Sequence, residues 1–174
     1  MVDVTGVNKY KGVRLPMHQQ LSDENMVEMD NAFKYVEDKY GNVFDELEGN
    51  LKVIRVERIE DIIEGQKCHR RGGDYKDDEK AIIINLIYFG REAKEENKKI
   101  ANEVFGGFKK EFMYRMGQYL YVVKNRFPKV ESMYIGIMKS IEKDYGSTGN
   151  EQGRREIFVR FFVERYIGNL DRKI

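Results

Sequence analysis

Cysteine and histidine, which many catalytic sites need, are scarce in this sequence. Cys68 is the single cysteine, so the chain has no internal disulfide, as expected of a protein from a reducing compartment. The two histidines, His18 and His69, are far apart, so the helical zinc motif H-E-x-x-H is absent. Because catalytic zinc needs three protein ligands, we expect no metal. Gly72 and Gly73 precede a predicted strand instead of following one, so they do not indicate a phosphate-binding loop, and we expect no cofactor.

The sequence also lacks an excess of charge of one sign and a long apolar run. It has 31 basic and 30 acidic residues, which gives no overall attraction to nucleic acid or to a membrane surface. The longest purely apolar run is 81–84, far shorter than the roughly 20 residues that span a bilayer. No early stretch combines a charged start with an apolar core, as a signal peptide does. We therefore predict a cytoplasmic protein that binds neither nucleic acid nor a membrane.

The N-terminal region changes character near residue 20. Residues 1–20 show no clear period, and we interpret them as an irregular arm that precedes a single domain over 21–174. Ser22 is a good N-cap, and an apolar stripe with helical spacing follows it. Gly41 then predicts the end of this helix.

The middle of the sequence indicates a small sheet. Residues 51–56 and 81–87 are rich in β-branched and apolar side chains and predict two strands. Between them we predict a short helical turn at 59–63 and an exposed loop over the polar segment 66–80.

The rest of the chain predicts helices. Apolar residues recur at helical spacing over 92–105, 108–126, 130–145 and 155–167, and Gly106-Gly107 predicts a break between the first two helices. One helix, a small sheet and then several helices indicate an α+β fold that is mostly helical, with a helical C-terminal half.

One predicted helix carries a specific resemblance to a known family. Residues 113–120 read Met-Tyr-Arg-Met-Gly-Gln-Tyr-Leu and resemble the active-site helix of lethal-factor-type zinc metallopeptidases, which typically reads I-H-E-x-G-H-Y-L. In this alignment Tyr114 falls on the first histidine, Arg115 on the catalytic glutamate and Gln118 on the second histidine. Gly117 and the apolar flanking residues match the family pattern.

A second stretch resembles the same family. Residues 145–150 and 156–162 are similar to the family's Y-G-x-T-N … E-F-F-A-E-A-F, with a longer connection between the two parts. Under this resemblance Glu156 falls on the third zinc ligand and Tyr145 on the tyrosine that assists the oxyanion. Arg160 replaces the family's second glutamate.

A third stretch lies upstream of these two. Residues 73–75, the strand at 81–85 and the aromatic pair at 88–89 resemble the edge strand above the family's cleft. The three stretches occur in the family's order and extend the resemblance over residues 22–168. The resemblance implies a zincin-like fold.

The resemblance also implies that the metal site has been lost, because Glu156 alone cannot hold catalytic zinc. Arg115 and Arg160 either lie at the former metal position, where they repel a divalent ion and pair with Glu156, or face solvent on two amphipathic helices. The family includes an inactive domain that binds the translocating component of a toxin, so a copy without metal can act as a binding module. The degenerate-cleft candidates are therefore Tyr114, Arg115, Gln118, Tyr145, Glu156 and Arg160.

These observations lead to one expected function and two alternatives. We expect a non-catalytic zincin-like module, encoded by a phage or mobile element, that acts by binding an unidentified protein partner in the host cytoplasm or the virion. One alternative is an enzyme that uses the metal-free cleft with its arginine, glutamate and tyrosine side chains. The other is a docking domain of a toxin component.

Overall fold

The structure, a computed structural model, describes residues 7–10, 13–16, 21–47, 49–51, 53–146 and 150–171. Its fold is α+β and mostly helical, which confirms the predicted fold class. The strands are β1 Val7–Tyr10, β2 Val13–Pro16, β3 Val53–Glu57, β4 Ile62–Glu64, β5 Lys67–His69, β6 Gly73–Lys76 and β7 Ala81–Asn85.

Seven α-helices and one short 3-10 helix occur in the described part of the chain. Among the described residues, no helix is long and apolar enough to cross a membrane. The helices are α1 Asp23–Tyr40, α2 Val43–Leu47, α3 Leu86–Phe89, α4 Glu95–Phe105, α5 Phe108–Val123, the 3-10 helix Lys124–Arg126, α6 Pro128–Tyr145 and α7 Glu151–Asp171.

The main sheet is mixed and has the strand order β1-β2-β3-β7-β6. Strand β3 pairs in parallel with β2 and β7, while the β1–β2 and β6–β7 pairs are antiparallel. Every residue of β7 is buried, as its continuous apolar sequence predicts for a strand covered on both faces. Strand β6 is an edge strand of this sheet, and it packs against α5.

Helix α5 lies at the centre of the helical layer and packs against α1, α4, α7 and the sheet. The Phe112 ring stacks on Phe108 with 5.8 Å between ring centroids, and it meets Phe33 of α1 edge-on at 5.6 Å. Aromatic pairs of this kind add to the free energy that burial of the rings provides. The core therefore fixes the rotation of α5 about its axis, and with it the residues that α5 presents to α7.

Gly117 allows α5 and α7 to approach each other closely. A Cβ atom at this position would lie 3.0 Å from a Phe162 ring carbon and 3.3 Å from a Val159 methyl carbon. We expect Gly117→Leu to lower the free energy of unfolding by about 1–3 kcal/mol, because the added side chain has no space at the helix crossing. Urea denaturation measures this change.

Gly136 of α6 provides the matched control for this substitution. It also lies inside a helix, but a Cβ atom there would meet no atom within 4 Å. Gly136→Leu should keep or raise stability, because leucine favours the helix more than glycine does. Equal losses from the two substitutions would contradict the close packing of α5 on α7.

Three predictions made from the sequence were wrong in the region before β7. Within the predicted irregular arm 1–20, β1 and β2 form an antiparallel hairpin, and His18 lies outside the described residues. The predicted helical turn at 59–63 overlaps β4, and the predicted loop 66–80 contains β5 and β6. Strands β4 and β5 form a separate exposed hairpin and β6 is a sheet edge, so none of them needs the continuous apolar sequence of a buried strand.

Candidate functional site

Five of the six predicted cleft residues line one cavity. The cavity has a volume of about 470 Å³ and opens between the C-terminal end of α4 and the facing sides of α5 and α7. We call it the α5–α7 groove. It is lined by Val104, Phe105, Lys110, Glu111, Tyr114, Arg115, Gln118, Arg155, Glu156, Val159, Arg160, Val163 and Glu164.

Helical spacing explains why the predicted residues converge. Arg115 is one residue after Tyr114, and Gln118 is one turn further along α5. Glu156 and Arg160 are separated by one turn of α7, so they share a face of that helix. The sixth candidate, Tyr145, is the last residue of α6, and its side chain lies outside the part of the chain that the structure describes.

Arg115 forms a buried ion pair with Glu111, one turn earlier in α5. Its Nε donates to Glu111 Oε1 at 2.7 Å and its Nη1 donates to Gln118 Oε1 at 3.1 Å. The side chain of Glu111 is only 5% exposed and that of Arg115 only 17% exposed. Neither of the two orientations expected for Arg115 is observed, because this guanidinium neither pairs with Glu156 nor projects freely into solvent.

Glu111 is the residue of this site that the sequence interpretation missed. Its spacing of four residues from Arg115 is a sequence signal for an ion pair on one helix face. Most such pairs are exposed, so the spacing does not distinguish Glu111 from the many other charged residues of the chain.

Gly72 and Gly73 make space for the buried ion pair beneath the sheet edge. A Cβ atom at Gly72 would lie 2.7 Å from Glu111 Cδ, and one at Gly73 would lie 3.4 Å from Arg115 Cγ. A Cβ atom at Gly73 would also collide with the Ile83 carbonyl oxygen of the paired strand β7. Because Gly72 and Gly73 have no side chains, this part of the sheet edge lies close to α5.

Burial raises the pKa of the Glu111 carboxyl, and the nearby Arg115 guanidinium opposes this rise only in part. The folded state then holds the Glu111 proton more tightly than the unfolded state does. The resulting stabilisation is fully present below the ordinary pKa of 4.5 and is lost as the pH rises through the folded-state pKa.

We therefore expect the wild-type protein to lose stability relative to Glu111→Gln as the pH rises from 4.5 through the folded-state pKa of Glu111. Glutamine keeps an acceptor for Arg115 but does not titrate. Urea denaturation of both proteins across this range measures the difference in free energy of unfolding. A difference that stays constant or grows in favour of the wild type would contradict the raised pKa.

A second arginine lies under the same edge strand. Arg155 of α7 donates a hydrogen bond to the Tyr75 hydroxyl, and its guanidinium carbon lies 5.4 Å from the centre of the Tyr75 ring. Gly73 and Tyr75 are two residues apart in β6, so they face the same side of the sheet. Arg115 and Arg155 both line the α5–α7 groove.

The donor atoms of the groove do not fit a zinc site. Gln152 donates to Glu156 Oε1 at 3.5 Å, and Arg160 pairs with Glu164 at 3.1 Å. Within the described ranges, no group of three histidine, cysteine, aspartate or glutamate side chains is placed to hold a metal ion. Tyr114, Arg115 and Gln118 offer no nitrogen or thiolate ligand of the kind that zinc prefers.

No protein-family model, curated protein or solved structure matches this chain. The resemblance to lethal-factor-type metallopeptidases therefore remains a prediction from three sequence stretches.

Proposed function

We propose that this chain is a non-catalytic binding module, encoded by a phage or mobile element, that holds a protein partner in the α5–α7 groove. The main support is the position of Arg115 and the ion pair that it forms. It stands where the resemblance places the catalytic glutamate, and it forms a buried ion pair with Glu111. An arginine side chain stays protonated and has no acceptor atom, so Arg115 does not act as a general base.

The exposed surface of the groove also suits binding. Val104 is 58% exposed and Tyr114 is 40% exposed, and buried Val159 and Val163 lie nearby in the groove wall. Exposed apolar side chains beside charged ones are typical of surfaces that bind other proteins. A partner that covers Val104 and Tyr114 would remove this apolar surface from water.

The arrangement of potential catalytic groups favours binding over catalysis. A nucleophile needs a base within hydrogen-bonding distance. Among the described residues, the Tyr114 hydroxyl makes no hydrogen bond, and Glu156 accepts only from Gln152 of its own helix. These two side chains therefore do not form an activated pair.

The second candidate function is an enzyme that uses this metal-free groove. The observation in its favour is that Tyr114, Glu156 and three arginines line the same cavity, where they are able to bind and polarise an anionic substrate. Such an enzyme would lose activity when Glu156 is replaced by glutamine.

Metal analysis combined with a peptide-library assay tests the proposal against peptidase activity, with or without zinc. We expect protein dialysed against excess zinc and then against buffer to retain no stoichiometric zinc and to cleave no peptide. Glu156→Gln serves as the matched control, since it removes the charge of Glu156 and keeps its size. Stoichiometric zinc, or cleavage that this substitution abolishes, would overturn the proposal.

A further inference from the structure

We infer that the protein partner held in the α5–α7 groove is a second copy of this chain, whose helix α7 lies antiparallel to α7 of the first copy. This inference rests on the proposed function and names the partner. Its basis is the charge pattern on the exposed face of α7, a glutamate on that face that lacks a cation, and the apolar side chains beside it.

The exposed face of α7 carries one stripe of polar side chains. Residues four apart on a helix lie on the same face, about 6 Å from each other. The stripe consists of Gln152, Glu156, Arg160 and Glu164, and all four residues are exposed. The last three of them also line the α5–α7 groove. This set of residues, which we call the α7 stripe, is therefore open to a partner that enters the groove.

The α7 stripe is complementary to itself in the antiparallel direction. A two-fold axis midway between Glu156 and Arg160, perpendicular to the helix, brings Glu156 of each copy opposite Arg160 of the other. The same axis places the amide of Gln152, a hydrogen-bond donor, opposite the carboxylate of Glu164. A parallel arrangement would instead put Glu156 opposite Glu156 and Arg160 opposite Arg160, and like charges repel. The charge pattern therefore selects the antiparallel direction.

Glu156 selects the register of this pairing. Among the described residues it has no cationic partner, whereas Arg160 already donates to Glu164 of its own helix through Nε at 3.1 Å. An axis between Arg160 and Glu164 would leave Glu156 opposite Gly168 and still without a cation. With the axis between Glu156 and Arg160, the remaining donors of each Arg160 bind Glu156 of the second copy.

Apolar side chains beside the stripe add a hydrophobic contact. Val104 is 58% exposed and Tyr114 is 40% exposed, and both line the same groove. A helix with its side chains is about 10–12 Å across, so α7 of the second copy also covers part of the groove next to the stripe. The two-fold symmetry repeats this burial in both copies. Since the apolar area is small and the ion pairs are exposed, we expect a dissociation constant of roughly 10–100 μM.

Sedimentation equilibrium of the full chain, at up to about 1 mM protein, tests for this dimer. We expect an equilibrium between monomer and dimer that shifts toward the monomer as the ionic strength is raised from about 0.01 M to 1 M, because salt screens exposed ion pairs. A protein that stays monomeric over the whole range of concentration at low salt would contradict the inference.

Charge reversal tests whether Glu156 and Arg160 meet across the two-fold axis. Glu156→Arg makes both sides of each contact positive, and Arg160→Glu makes both sides negative. Each variant alone should therefore dimerise about tenfold more weakly than the wild type. In an equimolar mixture, one copy of each variant restores two attractive contacts, so the mixture should dimerise about as tightly as the wild type.

Two exposed residues of α6 provide the matched control. Glu131 and Lys139 do not line the groove, and Glu131→Arg and Lys139→Glu change the net charge as the two stripe variants do. Each control variant, and their mixture, should dimerise as tightly as the wild type. Circular dichroism should be the same for all these proteins, because every replaced side chain is exposed.

The inference fails if the stripe variants dimerise as tightly as the wild type, if their mixture is no tighter than either alone, or if Glu131→Arg causes the same loss as Glu156→Arg. A monomeric protein that still forms an adduct with a different protein from a photo-crosslinker at position 114 would remove the second copy as partner and leave the proposed function intact. Stoichiometric zinc with peptide cleavage would instead remove the proposed function itself, so the two failures are distinguishable.

Discussion

Replacement of Arg115 by methionine is expected to lower the free energy of unfolding by about 3–5 kcal/mol, because it leaves the Glu111 carboxylate buried without its partner. Glu111 is 5% exposed and accepts the Arg115 Nε at 2.7 Å. Urea denaturation at neutral pH measures the loss. Protonation of Glu111 in the variant partly offsets it, so the loss should shrink when the pH is lowered toward 4.5.

Two control proteins separate this effect from a general loss of charge. Arg160→Met breaks an exposed pair with Glu164, and we expect it to cost about 0–1 kcal/mol. The double variant Glu111→Met with Arg115→Met removes both charges and should recover most of the lost stability, because apolar side chains replace the buried pair. A double variant as unstable as Arg115→Met alone would contradict the assignment of the loss to an unpaired Glu111.

Asn85→Ala should lower the free energy of unfolding by about 2–4 kcal/mol, since it leaves several buried backbone groups without hydrogen bonds. The side chain of Asn85 is fully buried at the end of β7. Its Nδ2 donates to the Ile59 carbonyl at 2.8 Å and to the Arg71 carbonyl at 2.5 Å. Its Oδ1 accepts from the backbone N–H groups of Ile59 and Ile87 at 3.0 Å each.

Asn85 also connects the core to the groove. The Arg71 carbonyl that it binds lies directly before Gly72 and Gly73, which cover the Glu111–Arg115 pair. We therefore expect Asn85→Ala to increase amide hydrogen exchange in β6 as well as to lower stability. Asn102→Ala, at an exposed position of α4, is the matched control and should change neither quantity. Unchanged exchange in β6 would show that Asn85 does not position this strand.

The sequence predicts most of the helical layer because its pattern is local. The N-cap at Ser22 and the break at Gly106-Gly107 are found where residue type predicts them. The strand predicted over 81–87 ends earlier, because the Asn85 side chain caps the start of α3. Residue type alone did not distinguish this capping asparagine from a residue within the strand.

The edge of the sheet and the buried ion pair depend on contacts between distant parts of the chain. The polar segment that contains β6 lacks the apolar alternation of a half-buried strand, and its order comes from pairing with β7. Glu111 is buried only because β6 lies above it with glycines at 72 and 73. A helical pattern shows which face of α5 Glu111 occupies but not what covers that face.

The predicted residues other than Tyr145 line one groove. The role of Arg115 differs from those expected, whereas Arg160 is exposed to solvent, which is one of the two orientations expected for it. Arg115 pairs with Glu111, and Arg160 pairs with Glu164 on its own helix. Neither pairs with Glu156. The ion-pair partners of both arginines became visible only in the structure, and the resemblance stays a prediction.

Site-specific photo-crosslinking tests the central claim, that the α5–α7 groove holds a protein partner. A benzoylphenylalanine at position 114 places the reactive group in the groove, and one at Ile135 gives a control of similar exposure on α6. In the cells that naturally make this protein, we predict a discrete covalent adduct from position 114 and none from position 135. Equal labelling from both positions, or no adduct from position 114, would contradict the account.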